Sequence, residues 1–548
     1  MGGAPRGRSK KTRGAAGKNW GGAAEERGGL GSGGRGKRSI GEEEAGDIFL
    51  LELLCLRPTL LKKFKIRAQV DSLPIELETL VGTLPGLPLD VLEVILGNLE
   101  IPDLIRAGSV CCSWRAAYTS LRDLGRYKQS QTPCLFYSSK SAGDNVACLY
   151  SLVEKRVYKL TLPEPPIRSR ILIGSSNGWL ITADERLELL LVNPVTGEQI
   201  ALPSVVTIEH VKPIFDGSGA IQKFELSYYT GEKVYREPEI HDRSDLREEL
   251  YFKAFLFPDL SSGSYIVVLI HHPYYQLSFA RAGDDKWTWI PPNAGYRDCM
   301  YMDGVLYALT KLGEIDAFDL SGSTVTRTVI VGKVKDYIYK SMYIIPSPWG
   351  GLLQVWRIVD IPRHEVGEGP EIFYAPDHKG WRVKNHRVHE LEDSGAPGIL
   401  KHPEQEDEDC DAPGIEHALE QGDVDVLENG PATYVKYITK KIQLYKVDMV
   451  GKGLVKVYCL PEHLLFLGHN QSLCLCAEEH PQLKANHVYF TDDHKELIMS
   501  FKDANRDIGV LNLENHKRKE ILSKIWCDLP CPTWIVPNLT KMNSAFSK

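Results

Sequence analysis

Side chains that could hold a metal ion are few in this sequence. Cys474 and Cys476 alternate shortly before His480, and cysteine thiolates and histidine imidazoles are common zinc ligands. Alternate residues of a β-strand share one face, however, so two buried cysteines in a strand explain the same spacing. Cys527 and Cys531 lack the matching second pair that such a zinc site needs. The sequence therefore predicts neither a metal site nor another cofactor.

Motifs of the common enzyme classes are missing from the sequence. It contains no H-E-x-x-H pair, no Walker loop and no G-x-S-x-G nucleophile turn. The Gly-Lys-Gly segment at 451–453 is too short for a phosphate cradle and is interpreted as a turn between strands. The His271–His272 pair ends the apolar run Tyr265–Ile270, which favours a strand end over a ligand pair. These patterns predict a non-catalytic protein.

Composition argues against two further classes. A net charge of -7 over 548 residues does not favour a general nucleic-acid-binding surface. No run approaches the roughly eighteen apolar residues that cross a bilayer, so we expect no membrane span. The 12 cysteines lack the regular spacing of a disulfide scaffold, which favours reduced thiols and a location in the nucleus or the cytoplasm.

Four segments differ from an ordinary folded domain. Residues 1–46 are rich in glycine and basic residues and predict a disordered tail, and residues 541–548 form a short tail. Residues 47–83 are more apolar and predict a helical lead-in to the next unit. Residues 363–431 are polar and increasingly acidic, which predicts a surface loop insertion with a strand pair near its start.

Residues 84–125 predict two or three short helices. Apolar residues recur there at helical spacing, and Pro88 and Pro102 stand where helices begin. Gly97 and Asn98 are good stop signals for the first helix. So short a unit buries too little apolar surface to be stable alone, so we expect it to give part of its apolar surface to a partner.

The segment has a sparse apolar pattern that starts at Leu87–Pro88 and Val91–Leu92 and ends in V-C-x-x-W at Val110–Trp114. With this pattern it resembles an F-box. The resemblance implies docking to a Skp-type adaptor, and through it to a cullin. Cys112 departs from the pattern, since the family often carries a basic residue there. An ordinary helical hairpin within a larger core is the alternative. The residues expected to bind the adaptor are those that match the motif, namely Leu87, Pro88, Val91, Leu92, Ile95, Leu96, Leu104, Val110, Cys111 and Trp114.

The sequence pattern of residues 126–540 is typical of an all-β domain. Loose strand–turn–strand units recur in it, and roughly 40–50 residues per blade predicts a β-propeller of six to eight blades. The sequence has no Trp-Asp dipeptide and only one relevant double glycine, Gly350–Gly351, which argues against WD and kelch repeats. A pair of β-sandwiches is the alternative. The predicted fold class is α+β multidomain, a small all-α F-box followed by an all-β propeller.

Four segments of the β region carry a second resemblance. Residues 174–180 and 191–197, and later 487–493 and 532–537, are similar to the F-box-associated propeller of plant F-box proteins, the KIB type. The resemblance implies a plant source and a substrate-recognition subunit of an SCF-type (Skp-cullin-F-box) ubiquitin ligase, whose propeller binds a target protein.

Two other functions stay open. One is an interaction scaffold without ligase function. The other is a carbohydrate-active propeller enzyme, which needs carboxylates or metal ligands at the central channel. Trp287 and Trp289 alternate before Pro291, which favours packing between blades, with a stacking platform for sugar or peptide as the alternative.

Overall fold

The computed structural model describes residues 87–231, 233–259, 263–291, 295–322, 324–334, 340–360, 373–377, 380–384, 438–493, 506–522 and 530–540. The predictions for 1–46, 47–83 and 541–548, and most of that for 363–431, lie outside these residues. In the part of the chain that is described, no helix is both long and apolar enough to cross a membrane.

Three helices form the first folded unit, which is called the helical unit below: α1 (Leu89–Leu96), α2 (Ile101–Ala107) and α3 (Cys112–Asp123). Pro88 is the residue that precedes α1, and Pro102 lies in the first turn of α2, where its missing N–H costs no helical hydrogen bond. Gly97 caps the C-terminus of α1. The predicted helical segment is thus confirmed.

Eight β-sheets follow among the described residues, and six of them are the blades of the fold. Blade 1 contains β1 (Cys134–Ser138), β2 (Val146–Ser151), β3 (Arg156–Thr161) and β30 (Thr533–Ile535). Blade 2 contains β4 (Ile171–Ser176), β5 (Trp179–Ala183), β6 (Leu189–Val192) and β7 (Gln199–Ala201). Blade 3 contains β11 (Tyr251–Asp259), β12 (Ser264–His271), β13 (Gln276–Arg281) and β14 (Thr288–Ile290).

The other three blades complete the set. Blade 4 contains β15 (Tyr296–Met302), β16 (Val305–Thr310), β17 (Ile315–Asp319) and β18 (Thr326–Val331). Blade 5 contains β19 (Lys340–Pro346), β20 (Leu352–Asp360), β23 (Ile438–Asp448) and β24 (Gly453–Val457). Blade 6 contains β25 (His463–Leu467), β26 (Leu473–Cys476), β27 (His487–Phe490), β28 (Gly509–Asn512) and β29 (Arg518–Glu520).

Two insertions interrupt the blades. Between blades 2 and 3 stand a three-stranded sheet and a helix: β8 (Val211–Phe215), β9 (Ile221–Thr230), β10 (Lys233–His241) and α4 (Arg243–Leu250). Between β20 and β23 stands a hairpin, β21 (Phe373–Asp377) and β22 (Gly380–Lys384). The hairpin confirms the strand pair expected near the start of the polar insertion.

The blades form a closed ring. Six clusters of buried apolar side chains each lie between two neighbouring blades, from the blade 1–2 cluster around to the blade 6–1 cluster. The C-terminal strand β30 closes the ring by pairing with β1, with Cys134 opposite Ile535 and Leu135 opposite Trp534. A ring of this kind is a β-propeller, and the paired β-sandwich alternative does not fit it.

Tight turns give the blades their repeated shape. Asn177 and Gly178, between β4 and β5, have φ angles of 51° and 83°, and Asp303 and Gly304, between β15 and β16, have 53° and 82°. Positive φ at both central residues is the geometry of the two-residue hairpin turn that matches strand twist. Asn-Gly and Asp-Gly are dipeptides that favour this turn.

The two ends of the propeller differ. The innermost strands are β30, β4, β11, β15, β19 and β26, and they run in the same direction because each blade repeats its neighbour. We call the surface where they begin the start face and the surface where they stop the end face. The helical unit leads into β1, which is antiparallel to β30, and so lies at the end face. A hydrogen bond of 2.8 Å from Tyr127 to Thr540, which follows β30, agrees with this placement.

Candidate functional site

The helical unit has an apolar interior of its own. Leu92, Leu96 and Leu104 are each at most 1% exposed, and Trp114 is also buried. Leu121 of α3 is buried as well. These side chains therefore form the core that holds the three helices together.

A second apolar surface of the unit faces solvent. Leu87, Val91 and Val94 are 46%, 39% and 56% exposed. Val91 and Val94 are three residues apart on α1, so they lie on the same side of the helix, and Leu87 stands two residues before its first residue. Leu89 is exposed elsewhere on the same helix. Helix α1 is thus apolar on its buried side and on its solvent side.

The predicted adaptor-binding residues divide between these two surfaces. Those at the surface are Leu87, Pro88, Val91 and Cys111, those partly buried are Ile95 and Val110, and those in the core are Leu92, Leu96, Leu104 and Trp114. The core residues already pack within this chain, so they can shape a docking surface without touching its occupant. Val94 and Leu89 are exposed apolar residues of α1 that the motif does not include, although the spacing of Val94 from Val91 is helical. The adaptor-binding role of the set stays a prediction.

Glu100 anchors the helical unit to the propeller. It is the N-terminal capping residue of α2, and its carboxylate accepts hydrogen bonds from the backbone N–H (2.9 Å) and hydroxyl (3.1 Å) of Thr132. Lys128 pairs with the same carboxylate. The Thr132 hydroxyl is also 3.1 Å from Nδ1 of His480, which follows the last strand residue of β26. Burial and the nearby Lys128 lower the pKa of His480.

A second contact joins α2 to blade 1. The Tyr158 hydroxyl donates a hydrogen bond of 2.6 Å to Asp103, which also accepts one of 3.2 Å from Arg106. Burial, and then the Asp103 carboxylate, raise the pKa of Tyr158. A pocket of about 140 Å³ remains beside this contact, lined by Ile101, Pro102, Ile105, Arg106, Leu149, Tyr158, Lys159, Leu160 and Val195. So small a pocket is a packing gap between two elements.

Carboxylates deep in the propeller are bound by cations. Asp298 pairs with Lys253 at 2.9 Å, and Asp507 pairs with Arg357 at 2.9 Å. A second arginine, Arg518, is 3.0 Å from the other oxygen of Asp507. A glycosidase needs two carboxyl groups free to act on one bond. These carboxylates instead hold blades together.

The cysteines and histidine considered as metal ligands have other surroundings. Cys474 and Cys476 both lie on β26 and are partly exposed, so the expectation that they are buried is wrong. His480 contacts Thr132, as described above. Within the described ranges, no group of three or more histidine, cysteine, aspartate or glutamate side chains is placed to hold a metal ion.

Of the two tryptophans before Pro291, Trp287 is buried and Trp289 is partly buried. Trp287 is buried, and its indole N–H donates to the carbonyl of Pro203 at 2.9 Å. Trp289 donates to the side chain of Gln276 at 3.1 Å. Both indoles therefore have internal partners, which supports the packing interpretation over a stacking platform.

Comparison with known protein families matches this architecture. A family described as "KIB1-4 beta-propeller" matches residues 149–512, and the F-box domain matches residues 84–122. The second match covers the helical unit and the first covers most of the ring.

Curated relatives are F-box proteins of Arabidopsis thaliana. "F-box only protein 7" and "F-box protein KIB4" are each 27% identical, over 42% and 43% of this chain. These two alignments span only 57% and 60% of the relatives' own lengths. "F-box protein SKIP23" is 25% identical over 82% of this chain and 94% of its own length.

Among solved structures, the β-propeller domain of Cps50 (Swd1) from Myceliophteria thermophila is similar, covering 42% of this chain and 80% of that one. At 10% identity and a TM-score of 0.20 this likeness carries no weight, so the fold rests on the ring of blades and the family match. The chain belongs to the KIB1-4 β-propeller family and carries an F-box domain ahead of its propeller.

Proposed function

We propose that this protein is the substrate-recognition subunit of an SCF-type ubiquitin ligase. The helical unit docks a Skp-type adaptor, and through it a cullin, while the propeller binds a target protein. The observation that carries the proposal is the exposed apolar side of α1, where Val91 and Val94 lie at the surface of an F-box domain, with Leu87 exposed just before the helix. Exposed apolar residues at helical spacing are typical of helix-mediated docking sites.

The contribution of this chain to the reaction is proximity. Ubiquitin transfer takes place on other subunits, and the receptor holds the target close to the charged ubiquitin carrier. The contacts of Glu100 and Tyr158 tie the helical unit to the propeller, so that both ends of the molecule keep a fixed geometry. The adaptor then docks at the end face, and the start face remains accessible to a target.

Co-purification with a Skp-type adaptor tests the proposal. The informative variant is Val91→Asp/Val94→Asp, because both valines are exposed and the core of the helical unit stays complete. A charge buried in the interface costs desolvation energy, so we expect adaptor affinity to fall at least about thirtyfold. Leu92→Asp is a poor test, since Leu92 is 1% exposed and the substitution disrupts the core.

Exposed valines of the propeller supply the matched control. Val234→Asp/Val455→Asp changes two residues of the same type, 70% and 55% exposed, away from the helical unit. This control should bind the adaptor like the unmodified chain. Failure of the intact chain to bind any Skp-type adaptor would contradict the proposal and favour an interaction scaffold without ligase function.

A further inference from the structure

The start face carries two cations that no described carboxylate neutralises. Arg297 is the second residue of β15, the innermost strand of blade 4, and Lys311 directly follows β16. Tyr296 pairs with Thr310 across these strands, and the backbone N–H of Lys311 donates to the carbonyl of Gly295 at 2.9 Å. Lys311 therefore lies opposite the residue two positions before Arg297, where β15 begins. Among the described residues, neither cation forms an ion pair with an aspartate or glutamate.

Aromatic rings hold the guanidinium of Arg297 in place. Its central carbon is 3.9 Å from the ring centroid of Tyr275 and 5.1 Å from that of Phe252. The two rings pack edge to face with centroids 4.8 Å apart. Phe252 is the second residue of the innermost strand of blade 3, and Tyr275 lies in the loop between β12 and β13, so both belong to the start face. A guanidinium stacked on rings keeps its N–H groups available for an acceptor.

The side chain of Lys311 passes over Gly295. The φ angle of Gly295 is +89°, and a Cβ added there would lie 3.8 to 4.0 Å from Cγ, Cε and Cδ of Lys311. The lysine stem therefore runs across bare backbone, two residues from Arg297. Burial of this stem, and then the positive charge of Arg297, lower the pKa of Lys311. The mutual repulsion of the two cations would be relieved by a bound anion.

We propose that Arg297 and Lys311, with the rings of Phe252 and Tyr275, form a docking site for a phosphate monoester carried by a peptide segment of a target protein. A phosphate monoester has a charge of about -1.5 to -2 at neutral pH, which matches two cations, whereas one carboxylate neutralises only one. Planar arginine also suits two-point contact with phosphate oxygens. The role in target binding rests on the proposed receptor function, and the site lies on the face away from the helical unit.

Peptide binding to the full chain tests the proposal. Three mixtures of fluorescent peptides with random flanking sequences are compared by fluorescence anisotropy. The central residue is a phosphorylated serine, threonine or tyrosine in the first mixture, the same residue without phosphate in the second, and glutamate in the third. We expect the phosphorylated mixture to bind at least about tenfold tighter than either of the others, with affinity that falls as salt is added. Equal binding of the glutamate or unmodified mixture would overturn the proposal.

Three variants localise the binding. Arg297→Gln and Lys311→Gln should each weaken phosphopeptide binding about tenfold, and Arg297→Lys should recover only part of the loss because lysine lacks the planar fork. Lys286→Gln is the control, since Lys286 is exposed in the loop between β13 and β14 of blade 3, at the end face. Wild-type affinity in both glutamine variants would overturn the site.

Adaptor co-purification, measured on the same variants, separates the two proposals. Arg297→Gln and Lys311→Gln should keep the adaptor while they lose the phosphopeptide. Phosphopeptide binding by a chain that never binds an adaptor would support the phosphate site and contradict the receptor function.

Discussion

Lys253 and Asp298 form a buried ion pair, Nζ to Oδ1 2.9 Å, between the innermost strands of blades 3 and 4. The other oxygen of Asp298 accepts a hydrogen bond of 3.0 Å from the backbone N–H of Ile344 in blade 5. Lys253 also donates to the carbonyl of Gly468 at 3.1 Å, in blade 6. Burial raises the pKa of Asp298, an effect that Lys253 opposes. One ion pair thus connects four of the six blades.

Removal of one partner of this pair should strongly destabilise the propeller. Lys253→Met leaves the Asp298 carboxylate buried without a cation, so we expect a loss of about 3–5 kcal/mol in the free energy of unfolding. Urea denaturation followed by tryptophan fluorescence measures the loss. Lys286→Met, on an exposed lysine of the same blade, should change stability by less than about 0.5 kcal/mol. A similarly small change in Lys253→Met would show that the pair does not hold the blades.

Much of the fold could be read from local sequence. The periodicity of residues 84–125 predicts the helices, and dipeptides such as Asn177–Gly178 predict the hairpins. Closure of the ring could not be predicted in this way, because the paired residues Cys134 and Ile535 stand near opposite ends of the propeller sequence. The buried pair of Lys253 and Asp298 could not be predicted from local sequence either, since charged residues normally indicate a surface.

The candidate docking surface was predicted only in part. Both sides of α1 carry apolar residues, so a period of 3.6 predicts the helix without indicating which side is core. Leu92 and Val91 are neighbours of similar character, yet the structure buries one and exposes the other. The placement of Arg297 and Lys311 near each other depends on strand register, which the sequence pattern does not supply.

The two neighbours on α1 should respond differently to truncation. Leu92→Ala leaves a cavity in the core of the helical unit and should cost about 2–5 kcal/mol. Val91→Ala removes methyl groups from the surface and should change stability by less than about 0.5 kcal/mol. Hydrogen exchange of the α1–α3 amides measures both. Equal protection losses in the two variants would contradict the assignment of core and surface.

Loss of the Glu100 charge should loosen the helical unit on the propeller. Glu100→Gln keeps the size of the side chain but weakens its contacts with Lys128 and Thr132, and hydrogen bonds to charged groups contribute about 1.5–3 kcal/mol. We expect faster hydrogen exchange in α2 and unchanged exchange in β11 and β15. Glu248→Gln, on the exposed surface of α4, should change neither region. Uniform acceleration through all blades would instead indicate a general loss of stability.

Acid should destabilise this protein through two buried histidines, His210 and His271, whose rings are 5.8 Å apart. Burial lowers the pKa of His210 from 6.5 to about 4, and burial together with His210 lowers that of His271 to about 3. His271 bonds to Ser278 at 2.9 Å, and His210 to the Tyr229 carbonyl at 3.1 Å, so both rings are held in place.

The protein loses stability in acid because the unfolded and the native state take up protons in different pH ranges. Below pH 6.5 the unfolded chain protonates these histidines while the native protein keeps them neutral, so their contribution to stability is complete above pH 6.5 and is lost as the pH falls toward 4 and then 3. Each histidine removes up to about 1.4 kcal/mol per pH unit in this window. Urea denaturation at pH 7.5, 6, 5 and 4.5 should show that the loss is smaller in His210→Gln/His271→Gln. The difference in unfolding free energy between the variant and the unmodified protein at pH 7.5 measures packing alone. If the two plots of unfolding free energy against pH stay parallel at lower pH, the acid sensitivity does not come from these rings.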